Sequence, residues 1–129
     1  MKKQGKGNKM TGLKTIEKIF HEPNRMAIMS VLCASGKGLS FTELKTACNL
    51  TDGNLNRHLK VLQEARAVEI RKSFVDDKPR TTVALSRSGL DSFSEYLQAL
   101  AEVLETARKA LPAEKKKSIT FPWAQKSKA

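Results

Sequence analysis

The side chains with the most to offer chemically lie between Asp52 and Glu64, in the run DGNLNRHLKVLQE. Leu55, Leu59 and Leu62 fall there at the i, i+4, i+7 spacing of one helical face. At about 100° per residue, the other side of the same helix collects Gly53, Asn56, Arg57, Lys60 and Glu64, with Asn54 on its shoulder. Asn54, Asn56, Arg57 and Lys60 carry donors and acceptors suited to base edges and phosphates. Arg or Lys matches the two acceptors of guanine, Asn can pair bidentately with adenine, and Gly53 lets the first turn approach a surface closely. Asp52 joins this candidate set at the helix start, where Thr51 or Asp52 can accept the free N–H groups of the first turn. A solvated polar face is also the commonest surface of an amphipathic helix, so this face gains meaning only from the segment C-terminal to it.

That segment is basic and β-prone. Val68 to Phe74 and Thr81 to Leu85 favour strands, and the intervening VDDKPR holds Asp77, Lys78 and Pro79, which favour a turn. In the resulting hairpin, Lys72, Lys78, Arg80 and the adjacent Arg87 bring four cations near its tip and base. Such a hairpin can lie against a phosphate backbone or enter a minor groove. Asp76 and Asp77 partly offset the cations, and a merely solubilising hairpin would also carry charge. A polar-faced helix over 52–65 followed by a basic hairpin with its tip at 74–81 is nonetheless the order of a DNA-reading helix and its wing.

Other elements must position that unit. Leu13 to Phe20 reads as a short amphipathic helix, and Pro23 opens a second whose core residues are Met26, Ala27, Met29, Val31 and Leu32. Gly36-Lys37-Gly38 ends it. Residues 39–41 suit a brief edge strand, and Thr42 suits the cap of a helix from Glu43 to Cys48, with Leu44 and Ala47 facing inward. The NLTDGN run then makes the step of a helix-turn-helix. A long helix begins at Ser86 or Ser88 and stops before Pro112. Its residues Leu90, Phe93, Leu97, Leu100, Leu104, Ala107 and Leu111 are spaced 3, 4, 3, 4, 3, 4, a heptad seam that Tyr96 and Val103 widen. That length exceeds what one small winged domain covers, which favours a dimer seam over wholly internal packing. The expected fold is mainly α with a small β hairpin (α+β), a winged helix-turn-helix with a long C-terminal dimerisation helix over 87–111.

Taken together, GNLNRHL, KVL, VEI, the Lys-Ser-Phe strand, KPRTT and LSRSGLDSFSEYL resemble the small winged-helix transcriptional regulators related to the MarR and ArsR families, over roughly Ile16 to Leu104. The resemblance implies a homodimer that binds operator DNA. It also implies a departure: many members have Gly where this chain has Arg66, a position that often needs φ > 0.

Composition narrows the alternatives. A chain of 129 residues holds one core-bearing domain, here expected over 12–111, between a basic tail at 1–11 and another at 112–129. The net charge of +11 suggests an anionic partner, but residues 1–18 carry +5 and residues 112–129 carry +4, leaving +2 between them. The tails would add salt-sensitive affinity for phosphates or simply solubilise the chain. The lysines of the N-terminus have no apolar run behind them, so no secretory signal is expected, and no segment is apolar enough to span a bilayer. Cys33 and Cys48 are expected as buried, reduced thiols, and neither pairs with His21 or His58 at metal-ligand spacing, so no metal or cofactor is expected. His58, at the edge of the leucine face, is expected to pack or hydrogen-bond. No nucleophile elbow, phosphate-binding loop or metal-binding His pair points to an enzyme. An RNA binder would show aromatic stacking residues, and the wing has only Phe74. The competing reading is a winged-helix module whose polar helix face binds an acidic protein. The first reading gives double-stranded DNA as partner, a homodimer, and a cytoplasmic, nucleoid-associated location. The sequence shows no credible effector pocket and no role for Phe121 and Trp123.

Overall fold

The computed structural model describes residues 18–116. Residues 18–20 are helical and lead to α1 (Pro23–Ser35), β1 (Leu39–Ser40), α2 (Phe41–Cys48), α3 (Asp52–Glu64), β2 (Val68–Val75), β3 (Lys78–Leu85), α4 (Arg87–Ala110) and the short α5 (Ala113–Lys116). The described chain is mostly helical with a small antiparallel sheet, in strand order β1-β3-β2, as the sequence led us to expect. The start of the helix expected from Leu13, the tail at 1–11, and the tail beyond residue 116 with Phe121 and Trp123 lie outside the described residues. Residues 113–116, expected as the start of the basic C-terminal tail, form α5.

Local chemistry sets the helix ends. Pro23 occupies the first turn of α1, the Glu22 side chain accepts from the Arg25 N–H at 2.8 Å, and Gly36 closes the helix at φ 73°. The buried side of α1 is Ile28, Met29 and Leu32; Ile28 was missed, while Met26, Ala27 and Val31 are only half-buried. Cys33 is exposed and Cys48 half-buried, so the expectation of buried thiols fails. Both are free, and partial desolvation holds both above the ordinary thiol range.

At α2 the cap is Ser40 rather than Thr42. The Ser40 hydroxyl accepts from the Glu43 N–H at 3.0 Å, and the Glu43 carboxylate accepts from the Ser40 N–H at 2.9 Å. This reciprocal capping box starts the helix two residues earlier than the sequence suggested, leaving Thr42 inside the first turn. Leu44 is buried, whereas Ala47 points outward against expectation. Asn49, at φ 56°, ends α2 as the Leu50 N–H bonds the Lys45 carbonyl and the Asn49 N–H bonds that of Thr46. This left-handed cap folds the chain back within residues 49–51, and Thr51 starts α3.

The hairpin is tighter than expected. Its turn is Asp76–Asp77, at φ 53° and 65°, while Lys78 and Pro79 belong to β3. Two consecutive left-handed residues match the right-handed twist of the strands, and Asp adopts that conformation more readily than most residues. Val75 pairs with Lys78 and Phe74 with Pro79. The pair next to a two-residue turn's closing pair lacks cross-strand hydrogen bonds, so Pro79 forgoes none to β2. On its other side β3 pairs with β1 only at Thr82 and Val83, clear of the proline.

The described chain divides into two units, residues 18–96 and 97–116. The core of the first joins Ile28, Leu32, Leu44, Leu55, Leu62 and Val83, each at most 2 % exposed. Full burial of one such side chain contributes roughly 1.5–3 kcal/mol. Phe20 packs edge-on against Phe93 at 5.2 Å between ring centroids, and His21 Nδ1 lies 2.8 Å from the Tyr96 hydroxyl. Phe93 and Tyr96 are therefore interior residues of this unit. Phe93, read from the heptad spacing as a seam residue, has no surface to offer a partner. In the second unit Leu97, Val103 and Leu104 are exposed, Leu100 and Leu111 are half-buried and Ala107 is exposed.

Candidate nucleic-acid interface

Helix α3 is held by Leu55, His58, Leu59 and Leu62, all buried. Its other side leaves Asp52, Gly53, Asn54, Asn56, Arg57 and Lys60 exposed. The cap is Thr51, whose hydroxyl accepts from the Asn54 N–H at 3.2 Å. Asp52 instead pairs with Lys45 of α2 at 2.8 Å. Sequence reasoning missed Lys45, because a cation in the preceding helix reaches this face only through the tight turn at 49–51. A Cβ on Gly53 would meet nothing within 4 Å, so nothing inside the described fold requires glycine there. Its small size matters only to something approaching from outside.

Among the wing residues, Lys72, Lys78 and Arg80 are exposed, as is Arg87 at the start of α4. The structure brings Lys72 to α3: Asn56, Leu59 and Gln63 share a depression of about 560 Å3 with Phe41, Ile70, Lys72 and Thr81. Strand alternation puts Lys78 and Arg80 on the other face of the hairpin. There Arg80 lies 3.8 Å from Glu43, whose carboxyl is held below the usual carboxylate range by the Ser40 backbone and side-chain hydrogen bonds and, more weakly, by Arg80.

His58 sits under the polar face at 4 % exposure. Its Nδ1 lies 3.3 Å from Arg25 Nη1 and 3.8 Å from Glu22 Oε1, which ties α3 to the start of α1. Burial pushes the imidazole below its ordinary pKa; Glu22 opposes that shift, while Arg25 and Arg57 reinforce it. The ring is therefore neutral near pH 7, so Nδ1 can accept from Arg25.

Helix α3 ends on Arg66, at φ 62°. The Ala67 N–H bonds the Leu62 carbonyl at 2.8 Å and the Arg66 N–H bonds that of Gln63 at 2.9 Å, a Schellman closure with arginine where glycine is usual. The LSRSG element meets this closure. Ser86 caps α4 by accepting from the Gly89 N–H at 2.8 Å, the Ser86 and Ser88 hydroxyls both donate to the Arg66 carbonyl, and Gly89 is pressed so closely on the Ala67 carbonyl that a Cβ would overlap it. The end of α3, the base of β2 and the start of α4 thus meet at a common joint.

Among the described residues no cluster of three or more His, Cys, Asp or Glu could hold a metal ion, and no helix is long and apolar enough to cross a membrane.

Comparison with known proteins agrees with this geometry. Residues 24–104 match the family described as "Winged helix DNA-binding domain". An uncharacterised protein of Methanocaldococcus jannaschii is 35% identical over 89 residues, covering 67% of this chain and 92% of that one. The uncharacterised HTH-type transcriptional regulator YceK of Bacillus subtilis is 34% identical over 89 residues, covering 69% of this chain and 82% of that one. Among solved structures, a transcriptional regulator homologue from Pyrococcus horikoshii superposes with a TM-score of 0.66 at 30% identity, covering 75% of this chain and 97% of that one. The fold is also that of Staphylococcus aureus MepR in its DNA complex, with a TM-score of 0.58 at 18% identity over 98% of this chain and 90% of that one. With a polar-faced helix, a basic hairpin and a family match spanning both, the chain belongs to the winged helix DNA-binding domain family.

Proposed function

We propose that this protein is a transcriptional regulator that reads double-stranded DNA as a homodimer, with α3 in the major groove and the β2–β3 wing on the adjoining backbone or minor groove. The observation that carries the reading is the division of α3: its leucines are buried while Asn54, Asn56, Arg57 and Lys60 are exposed, and Asn56 borders the same depression as wing residue Lys72. Arg57, Lys60 and the asparagines would contact base edges. Lys72, Lys78, Arg80 and Arg87 would hold phosphates, fixing the helix's register in the groove.

The dimer is supported by the leucines spaced seven apart along α4 and just beyond it. Leu90, Leu97 and Leu104 are exposed and Leu111 is half-buried, which suits knobs for a partner helix. Leu100 and Ala107 would complete that seam without Phe93. Two copies would present two recognition helices at a spacing of one helical turn of DNA. A gel-shift titration against duplex DNA at increasing salt tests the reading. We expect binding whose logarithm falls linearly with the logarithm of salt concentration. Failure to bind any duplex at low salt would leave the protein-contact alternative.

A further inference from the structure

The turn that closes the wing consists of two carboxylates. Asp76 and Asp77 stand at the foremost point of the hairpin, and driving that point between two rows of phosphates would bring like charges together. The cations stand behind it: Lys78 and Arg80 on one face and Lys72 on the other. Beside Lys72 stands Phe74, 76 % exposed and the most exposed large hydrophobic side chain among the described residues.

Strand alternation and the pairings Lys72↔Thr81 and Phe74↔Pro79 place these four side chains on one face of the hairpin. Lys72 and Thr81 border the same depression as Asn56 of α3, so this face is turned toward the recognition helix. Phe74 and Pro79 form a pair without cross-strand hydrogen bonds, the kind whose side chains lie closest, so the proline backs the ring. A wing that only gripped phosphates would need its cations alone. Leaving a ring of this size in water beside them is unfavourable, and the complementary surface is one on which apolar carbon and phosphate alternate. The deoxyribose-phosphate wall of the minor groove is such a surface.

We infer that the wing meets DNA side-on through the face that carries Phe74: the ring packs on the deoxyribose wall of the minor groove, Lys72 takes a phosphate beside it, and the Asp76–Asp77 turn stays outside the groove. This rests on the DNA-binding reading above and chooses between the two wing positions it leaves open. The contact tolerates any base sequence directly, but it responds to groove width and so lends itself to indirect readout. It displaces no counterion, so its contribution does not depend on salt as that of the cations does.

The test uses the full chain on its selected duplex and on random duplex, with Phe74→Ala, Phe74→Leu and Lys72→Ala beside the unmodified protein. A thermal melt of each variant confirms folding, as expected for exposed positions. Phe74→Ala should weaken binding to both duplexes about tenfold, as for loss of one well-buried aromatic contact. The slope of affinity against salt should stay unchanged. In a hydroxyl-radical footprint, which reads deoxyribose C–H exposure, it should lose protection at the minor-groove sugars flanking each half-site. Phe74→Leu should keep most of both. Lys72→Ala should flatten the salt slope by about one unit. Unchanged affinity or an unchanged footprint for Phe74→Ala would overturn the side-on wing while leaving DNA binding intact. Failure of the unmodified protein to bind any duplex would overturn the DNA reading itself.

Discussion

The Ser88 hydroxyl donates to the carbonyl of Arg66 at 3.0 Å across 22 residues of sequence. That bond fastens the first turn of α4 to the left-handed residue closing the recognition helix. The start of α4 is thereby tied to the junction where α3 ends and β2 begins.

Arg66 occupies this joint at φ 62°, a conformation that costs a non-glycine residue roughly 1–2 kcal/mol. Arg66→Gly should remove that cost and add about 0.5–1 kcal/mol of unfolded-state entropy against it. The expected net is a stabilisation of up to about 1.5 kcal/mol in urea denaturation. A loss of stability would mean that the arginine side chain contributes more than its backbone strain costs.

Gly89→Ala should do the opposite. With the Ala67 carbonyl against the missing Cβ, the backbone must move apart, at a cost of about 1–3 kcal/mol or more. A melting temperature equal to that of the unmodified protein would contradict the close approach.

How much of the fold and site was legible in the sequence differs from residue to residue. The 3.6 period of Leu55, Leu59 and Leu62 sufficed to locate α3 and its exposed face, because one buried stripe dictates the other. The β-prone runs sufficed for the wing. The turn was misplaced because Lys-Pro is a common turn signal, whereas here two adjacent aspartates accept left-handed backbone and the proline fits an unbonded strand position. Ser40 was overlooked as a cap because it also ends a strand. Phe93 fits the heptad spacing as well as Leu97 does. Only the ring of Phe20, brought up from a distant part of the first unit against Phe93 and its helix neighbour Tyr96, decides that it is core. Lys45 carried no local signal at all.

Arg57→Ala and Lys60→Ala should each weaken binding to a selected duplex by about 1–3 kcal/mol, with no loss of stability, since both side chains are exposed. Competition gel shifts with random duplex would separate lost specificity from lost charge. Equal affinity for the selected site in both variants would remove α3 as the reader.

Stability should fall on mild acidification because of His58. Its pKa is lowered in the fold by burial, so as pH drops below the ordinary histidine value of about 6.5 the unfolded chain takes up the proton first, and folding weakens. Above that value the group contributes no such penalty. Denaturation midpoints measured from pH 8 to pH 5 should decline more steeply for the unmodified protein than for His58→Met. Parallel curves would show that the burial of this imidazole is not what titrates.

Leu97→Glu with Leu104→Glu should yield a monomer that stays folded, because both positions are exposed in the single chain, at 41 % and 36 %, and a partner helix would have to desolvate the new charges. Sedimentation of the unmodified protein and the variant, with circular dichroism of both, separates the outcomes. A monomeric unmodified protein would remove the seam. An unfolded variant would make the stripe internal core.

Selection of bound duplexes from a random pool, using the unmodified chain, tests the central claim most directly. A homodimer reading DNA through α3 should enrich one palindromic motif whose half-sites lie about one helical turn, 10–10.5 base pairs, apart. Retention of duplexes without any enriched sequence would contradict it, since neither α3 nor its two-fold pairing would then be reading DNA.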